Sequence, residues 1–187
     1  MDYISLLEQE GALLKGHFLL ASGLHSDKYI EKFRILENPK SLEPFIQKMV
    51  ELSPKVDWVI GPTLGGAIIA FELARVLGVR SAYSERNGEG RVLRRGFNIK
   101  ENDTILIVDD ILTTGGSITD AIVSIEKGKI LGAVVMIDRS VDDIDFGIPL
   151  YSVLRYPINN YKPENCPLCR EDIPLTKRGG GRGYGTR

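Results

Sequence analysis

ILIVDDILTTGGS, residues 105–117, decides the fold of this chain. Its first four residues are Ile, Leu, Ile and Val, apolar on both alternating faces, as a parallel strand covered from two sides requires. Two acids, Asp109 and Asp110, follow at the carboxyl end of this expected strand, where open α/β sheets place their ligands. Thr113, Thr114, Gly115, Gly116 and Ser117 then lead into a helical stretch. Glycines let backbone N–H groups come close to an anion, the hydroxyls add donors, and the helix start contributes about 0.3–1 kcal/mol. One side of this turn suits a phosphate and the other suits hydroxyls or a hydrated cation, and a sugar phosphate carries both. A connection that merely capped its helix would need one Asp and one Ser. A nucleotide loop of the Walker type needs a Lys-Ser or Lys-Thr pair closing a longer glycine loop, and a dinucleotide turn needs GxGxxG between strand and helix. Neither is present.

The same alternation extends outward. Residues 56–60 read as a short strand ending at Gly61-Pro62, and 67–77 as a helix closed by Gly78. Residues 79–84 read as a strand, 104–108 as the central strand, 117–127 as a helix and 131–137 as another apolar strand. Strands alternating with helices predict a parallel sheet flanked by helices. Before this block, 3–14 has helical spacing and 18–20 looks like a short strand. Ser41 is a candidate cap for a helix carrying Leu42, Phe45, Ile46, Met49 and Val50. The expected organisation is an N-terminal segment over 1–54, an α/β core over 55–155, a C-terminal segment over 156–176, and a basic, glycine-rich tail over 177–187 read as unpacked.

The 187 residues suffice for one domain with a small addition, and 43% hydrophobic with 26% charged residues is ordinary for a globular protein. A net charge of −1 gives no reason to expect nucleic acid or a membrane surface as partner. The acidic, amphipathic start is unlike a signal peptide, and no apolar run reaches the roughly 18 residues of a membrane span. The expectation is therefore a cytoplasmic protein. Cys166-Pro-Leu-Cys169 is half of a zinc site, but His17 and His25 lie far away in sequence. A zinc shared between subunits or a labile disulfide are alternatives to the favoured reading, two cysteines in a tight turn.

Two further segments carry chemistry. GPTLGG, 61–66, leaves the neighbouring βα unit at the same sheet edge and can offer backbone donors to a second anion, or be an ordinary glycine-rich turn. SERNGEGRVLRRGF, 84–97, has the Asn87-Gly88 signal of a hairpin, with arginines outnumbering acids. It reads either as a solvated edge or as a mobile cationic flap.

VDDILTTGGS resembles the 5-phosphoribosyl-1-pyrophosphate (PRPP) signature of type I phosphoribosyltransferases. FLLASGLHS (18–26), Asp138-Arg139, the hairpin and CPLCREDIPL resemble the orotate-specific members. The resemblance spans 3–176. It implies the type I phosphoribosyltransferase fold with a small hood over the base, and transfer of phosphoribosyl from PRPP to orotate. Carried over, Asp109 and Asp110 face the ribose hydroxyls, and Ile111, Leu112, Thr113, Thr114, Gly115, Gly116 and Ser117 form the 5′-phosphate loop. Thr63, Leu64 and Gly65 serve pyrophosphate, in a loop that often holds a non-proline cis peptide in the family. Arg86 and Arg91 stand in the catalytic flap, with Arg86 on PRPP, and Thr113, Arg139 and Tyr29 meet orotate. Magnesium arrives on PRPP close to Asp109 and Asp110, and the family pattern implies a homodimer. The chain departs from that pattern at Ala21 and Leu64-Gly65, where many members have Lys, and in the flap, where Lys and His give way to arginines. A transferase for another base, or a PRPP-sensing nucleic-acid-binding regulator using the basic tail, are the rival readings.

Overall fold

Thr104–Leu112 is the central strand, as the sequence predicts, but it runs four residues further than the apolar run. The computed structural model describes residues 1–88, 90–94 and 96–178; the tail beyond Arg178 lies outside the described residues. In chain order the elements are α1 (Tyr3–Gln9), β1 (Leu13–Leu19), β2 (His25–Ile30), α2 (Phe33–Leu36) and α3 (Pro39–Leu52). Next come β3 (Trp58–Gly61), α4 (Leu64–Leu77), β4 (Arg80–Tyr83), and the hairpin β5 (Glu85–Asn87) and β6 (Gly90–Val92). Then follow β7 (Thr104–Leu112), α5 (Gly116–Ser124), β8 (Lys129–Asp138) and β9 (Leu150–Arg155). The chain ends in β10 (Asn160–Tyr161), a 3-10 turn over Pro163–Asn165, the short α6 (Pro167–Arg170) and β11 (Thr176–Lys177).

Two compact units result: Met1–Arg34 with the chain from Ile158 onward, and Ile35–Pro157. The second holds an all-parallel five-stranded sheet in the order β4-β3-β7-β8-β9. Ile105, Leu106, Ile107 and Val108 are all fully buried, so both faces of β7 are covered. Ile107 packs with Ile118 and Ala121 of α5, and Ile105 with Trp58, Ile60 and Ala82 and the flap residues Leu93 and Phe97. The strand outlasts its apolar run because β8 is ten residues long and keeps offering partners, through Ile111↔Ile137 and Leu112↔Asp138. β9, which carries no strong period, adds the far edge.

The first unit has a four-stranded sheet ordered β10-β2-β1-β11. Its first helix stops at Gln9, short of the apolar spacing that runs to Leu14. Gly11 takes φ +64°, and Leu13 begins an antiparallel ladder opposite Ile30. In the second unit Asn38, not Ser41, caps α3, because Pro39 takes the first helical position, where no N–H is needed. Gly78 closes α4 at φ +71°, as the sequence predicts.

Two carboxylates tie β3 to the start of β7. Asp57 accepts from the Thr104 N–H (2.8 Å) and hydroxyl (2.7 Å), and Asp103 from the Lys100 N–H (2.9 Å) and the Trp58 indole (2.8 Å). The Thr104 N–H, then its hydroxyl, holds Asp57 below its ordinary 3.8; the Lys100 N–H, then Trp58, does so for Asp103. A depressed folded pKa contributes stability above the unfolded value, which is lost as pH falls through the folded one. Asp103→Asn therefore lowers Tm near neutral pH, and the gap to the native chain narrows as pH drops below 3.8. Melting curves across the acid range check this; a gap independent of pH contradicts it.

Candidate active site

The strand order sets the location of the site before any side chain is considered. Counting strands of the parallel sheet along the chain gives 2-1-3-4-5, whose switch point lies between the first and third strands, here β3 and β7. Chains leaving neighbouring strands in opposite directions open a crevice there. Its two walls are the loop after β3, with residues 61–66, and the loop after β7, with residues 113–117.

Asp109 joins these walls. Its Oδ1 accepts the Thr63 hydroxyl (2.6 Å) and the Asp110 N–H (3.0 Å), and its Oδ2 accepts the Ser117 hydroxyl (2.8 Å). Thr63 in turn caps α4 by accepting the Gly66 N–H (2.9 Å). The glycines explain how the α4 start comes so close. A Cβ at Gly65 would land on the Asp110 carboxylate, and one at Gly66 would come within 2.8 Å of Asp109 Oδ1. Both acids lie inside β7 rather than beyond it, each 1% exposed. Asp110 Oδ1 accepts the Ile111 N–H (2.6 Å). Asp109 thus organises the two loops, a role that the sequence does not reveal, and Ser117 of the expected phosphate loop is one of its partners.

The rest of that loop is open. Thr113 and Thr114 are exposed ahead of α5 and Gly116 is exposed at its first position, while Ile111 and Leu112 still belong to β7. Gly115 takes φ +80°, and a Cβ there would lie 2.7 Å from the Phe146 ring. Only glycine meets both demands, so the turn that presents these N–H groups is fixed from behind. All peptide bonds among the described residues are trans, so the cis bond that the resemblance implied for the 61–66 loop is not found.

The 84–97 hairpin and the 61–66 loop meet. Arg91 of β6 donates to the carbonyls of Pro62 and Ser84, the latter at 3.3 Å. An open cleft of about 540 Å³ is lined by Pro62, Thr63, Leu64, Tyr83, Ser84, Arg86 and Arg91. Arg91 is pinned at the loop, whereas Arg86 stands exposed at the rim. Ser84, which the sequence did not mark out, donates its backbone N–H to Gly61 (3.2 Å) and so ties the flap base to the loop. Glu89 and Arg95 of the flap lie outside the described residues.

Arg139 follows β8, with its backbone N–H on the Leu112 carbonyl (3.0 Å), which holds it next to Thr113. It is only 8% exposed. Of the acids near it in sequence, Asp138 accepts the Ser140 hydroxyl (2.6 Å), and Asp143 pairs with Arg155 (2.7 Å). Tyr29 belongs to β2 of the first unit, its ring 5.8 Å from that of Phe18.

The family model described as "Phosphoribosyl transferase domain" matches residues 34–155. The chain is similar to an orotate phosphoribosyltransferase of Caldanaerobacter subterraneus subsp. tengcongensis, 41% identical over 180 residues, covering 94% of this chain and 95% of the relative. Among solved structures, the orotate phosphoribosyltransferase of Aeropyrum pernix superposes with a TM-score of 0.72 at 28% identity, over 83% of this chain and 93% of that one. The adenine phosphoribosyltransferase of Thermoanaerobacter pseudethanolicus shares the fold, with a TM-score of 0.57 at 17% identity over 69% of this chain and 88% of that one.

Proposed function

The chain belongs to the orotate phosphoribosyltransferases, within the phosphoribosyl transferase domain family, and from that membership we propose how its own residues carry the reaction. The reaction is orotate + PRPP → orotidine 5′-monophosphate + pyrophosphate, a step of pyrimidine biosynthesis. The observation that carries the assignment of residues is the single carboxylate, Asp109, that locks the 61–66 loop to the 113–117 loop at the switch point. Two anion-binding turns held at a fixed separation suit a ligand with a phosphate at one end and a pyrophosphate at the other.

In this reading Thr113, Thr114, Gly115 and Gly116, with the start of α5, hold the 5′-phosphate. Thr63, Leu64 and Gly65 take the pyrophosphate through the first N–H groups of α4, which have no partner inside the helix. Asp110 faces the ribose hydroxyls, and Asp109 fixes the loops around them. Arg86 and Arg91 cover the leaving group, whose charge they stabilise best once water is excluded. Arg139 receives the orotate carboxylate as a fork of paired donors, with Thr113 beside it. The C1–N bond forms as the C1–O bond to pyrophosphate breaks. That bonding pair leaves with pyrophosphate, and the ring N–H proton is released. Catalysis is positioning and electrostatics, with no covalent nucleophile.

The donor set also bears on the metal. Two buried carboxylates, one already accepting two hydroxyls, do not make a protein cage for a hard cation. Magnesium characteristically comes with substrate phosphates and takes only one or two carboxylates; PRPP brings it, and Asp109 and Asp110 lie close by. When bound, it neutralises charge on the leaving group. Pyrophosphate release that requires orotate, PRPP and Mg²⁺ together tests this scheme; release without orotate contradicts it.

For the homodimer that the family pattern implies, we propose the exposed face of α4 as the interface. Leu64, Ile68 and Phe71 follow at helical spacing on one face, and Phe71 is 66% exposed. Ile68 and Phe71, with Tyr83, Leu36 and Leu42, border an apolar cleft of about 550 Å³. Exposed aromatic patches of this kind mark interaction sites. Phe71→Asp converts a dimer to a monomer in light scattering coupled to size exclusion; an unchanged mass rejects this interface. No helix among the described residues is long and apolar enough to cross a membrane.

A further inference from the structure

His17, His25, Cys166 and Cys169 have no part in the transfer chemistry, yet the fold of the first unit brings all four together. We propose that they form a tetrahedral zinc site that staples this unit. Their ligand atoms lie within 4.8 Å of one another. His17 Nε2 is 2.9 Å from His25 Nδ1, 3.5 Å from Cys166 Sγ and 3.7 Å from Cys169 Sγ, and His25 Nδ1 is 3.3 Å from Cys169 Sγ. Zinc bonds of about 2.1 Å to nitrogen and 2.3 Å to sulfur at tetrahedral angles give ligand separations of roughly 3.3–3.8 Å. Three of the four distances fall within that range, the two imidazole nitrogens are somewhat closer, and no pair exceeds 4.8 Å.

Local structure explains the convergence. β1 and β2 are antiparallel, and His25 pairs with Leu19. His17, two residues from Leu19, therefore shares the face of His25. The ladder register shifts between Lys15 and Phe18, a bulge next to His17 of the kind that re-aims a side chain. Cys166 precedes α6, and Cys169 follows three residues on, at the spacing that brings two helical side chains together. The expectation from sequence, two cysteines alone in a turn, is thereby corrected: the histidines lacked ligand spacing along the chain but acquire it through strand pairing.

The surroundings match a metal better than a hydrogen-bonded cluster. His17 Nδ1 lies 2.7 Å from the Ile173 carbonyl, which fixes the tautomer that aims Nε2 inward, the usual outer partner of a ligating histidine. His17, His25 and Cys166 are 3%, 5% and 1% exposed, and a buried imidazole needs a partner for each ring nitrogen. Thiols are weak donors and acceptors. The unit joins the two ends of the chain around a small core of Leu7, Ala12, Leu13, Phe18, Ile30 and Ile158, and units of this size commonly need a staple. Two sulfurs and two imidazoles with no open position select zinc in a structural rather than a catalytic role.

The full-length chain, purified without chelator, is expected to carry one zinc per chain by elemental mass spectrometry. Exchange for Co²⁺ is expected to give visible bands of a tetrahedral ion and a sulfur-to-metal charge-transfer band from two thiolates. Cys169→Ser alters the one exposed ligand and so spares the core; it is expected to weaken zinc retention by about tenfold or more and to diminish the charge-transfer band. Chelation of the native chain lowers Tm, and added Zn²⁺ restores it. A chain that takes up no Co²⁺ in thiolate coordination, half an equivalent of zinc per chain, or a mass two hydrogens lighter from a Cys166–Cys169 disulfide would each overturn the proposal. None of these readouts depends on transferase activity.

Discussion

Asp109→Asn is expected to lower kcat by about 10²-fold or more while the chain stays folded, because misplacing a reacting geometry by about 1 Å costs that much. Asp109 accepts hydroxyls from Thr63 and Ser117, one from each loop. An amide keeps a single oxygen and can only donate from its NH₂, so one of the two hydroxyls must reverse its role and both ties lose the charge that strengthened them. Hydrogen bonds to a charged group contribute about 1.5–3 kcal/mol each, of which the neutral oxygen recovers part, so the loss is felt first in loop position. Thr63→Val and Ser117→Ala, which each cut one of the two ties, reproduce part of the defect. Asp110→Asn is expected to reduce turnover just as sharply, through the ribose contact. Steady-state kinetics with circular dichroism melts separate these effects from unfolding. Native kinetics in both Asn variants would remove the acids from the mechanism.

Arg139→Ala is expected to raise the KM for orotate by roughly 30-fold or more, the equivalent of about 2 kcal/mol for a lost charge-assisted pair, and to change the KM for PRPP little. The residue is 8% exposed, and its backbone is bonded to Leu112, just before the 113–117 loop. Lysine restores the charge but not the planar fork, so Arg139→Lys recovers only part of the affinity. Equal losses for both substrates would place Arg139 in loop support rather than in the base pocket.

The parts legible in the sequence are those encoded locally. The apolar run 105–108, the Thr/Gly turn and the Asn87-Gly88 hairpin each specify their own geometry, and the parallel sheet follows from their alternation. Other features depend on residues distant in sequence. Two adjacent Asp residues look like a loop, but β8 is long enough to carry them as strand, and hydroxyls from two loops satisfy Asp109. The need for Gly115 comes from Phe146, thirty-one residues away in the chain. The His/Cys cluster was invisible for the same reason: His17 and Cys166 are 149 residues apart, and no spacing rule spans such a distance. The base is less legible still. An adenine enzyme shares this fold, so the sheet alone does not decide the base.

The most direct test of the account is therefore a base panel. With PRPP and Mg²⁺ held constant, kcat/KM is measured for orotate, uracil, adenine, guanine and hypoxanthine, following loss of the base and appearance of the nucleotide. The account predicts that orotate exceeds every other base by about 10³-fold or more, since a buried site built to pair a carboxylate rejects bases that lack one. Comparable or higher turnover of a base without a carboxylate would contradict it.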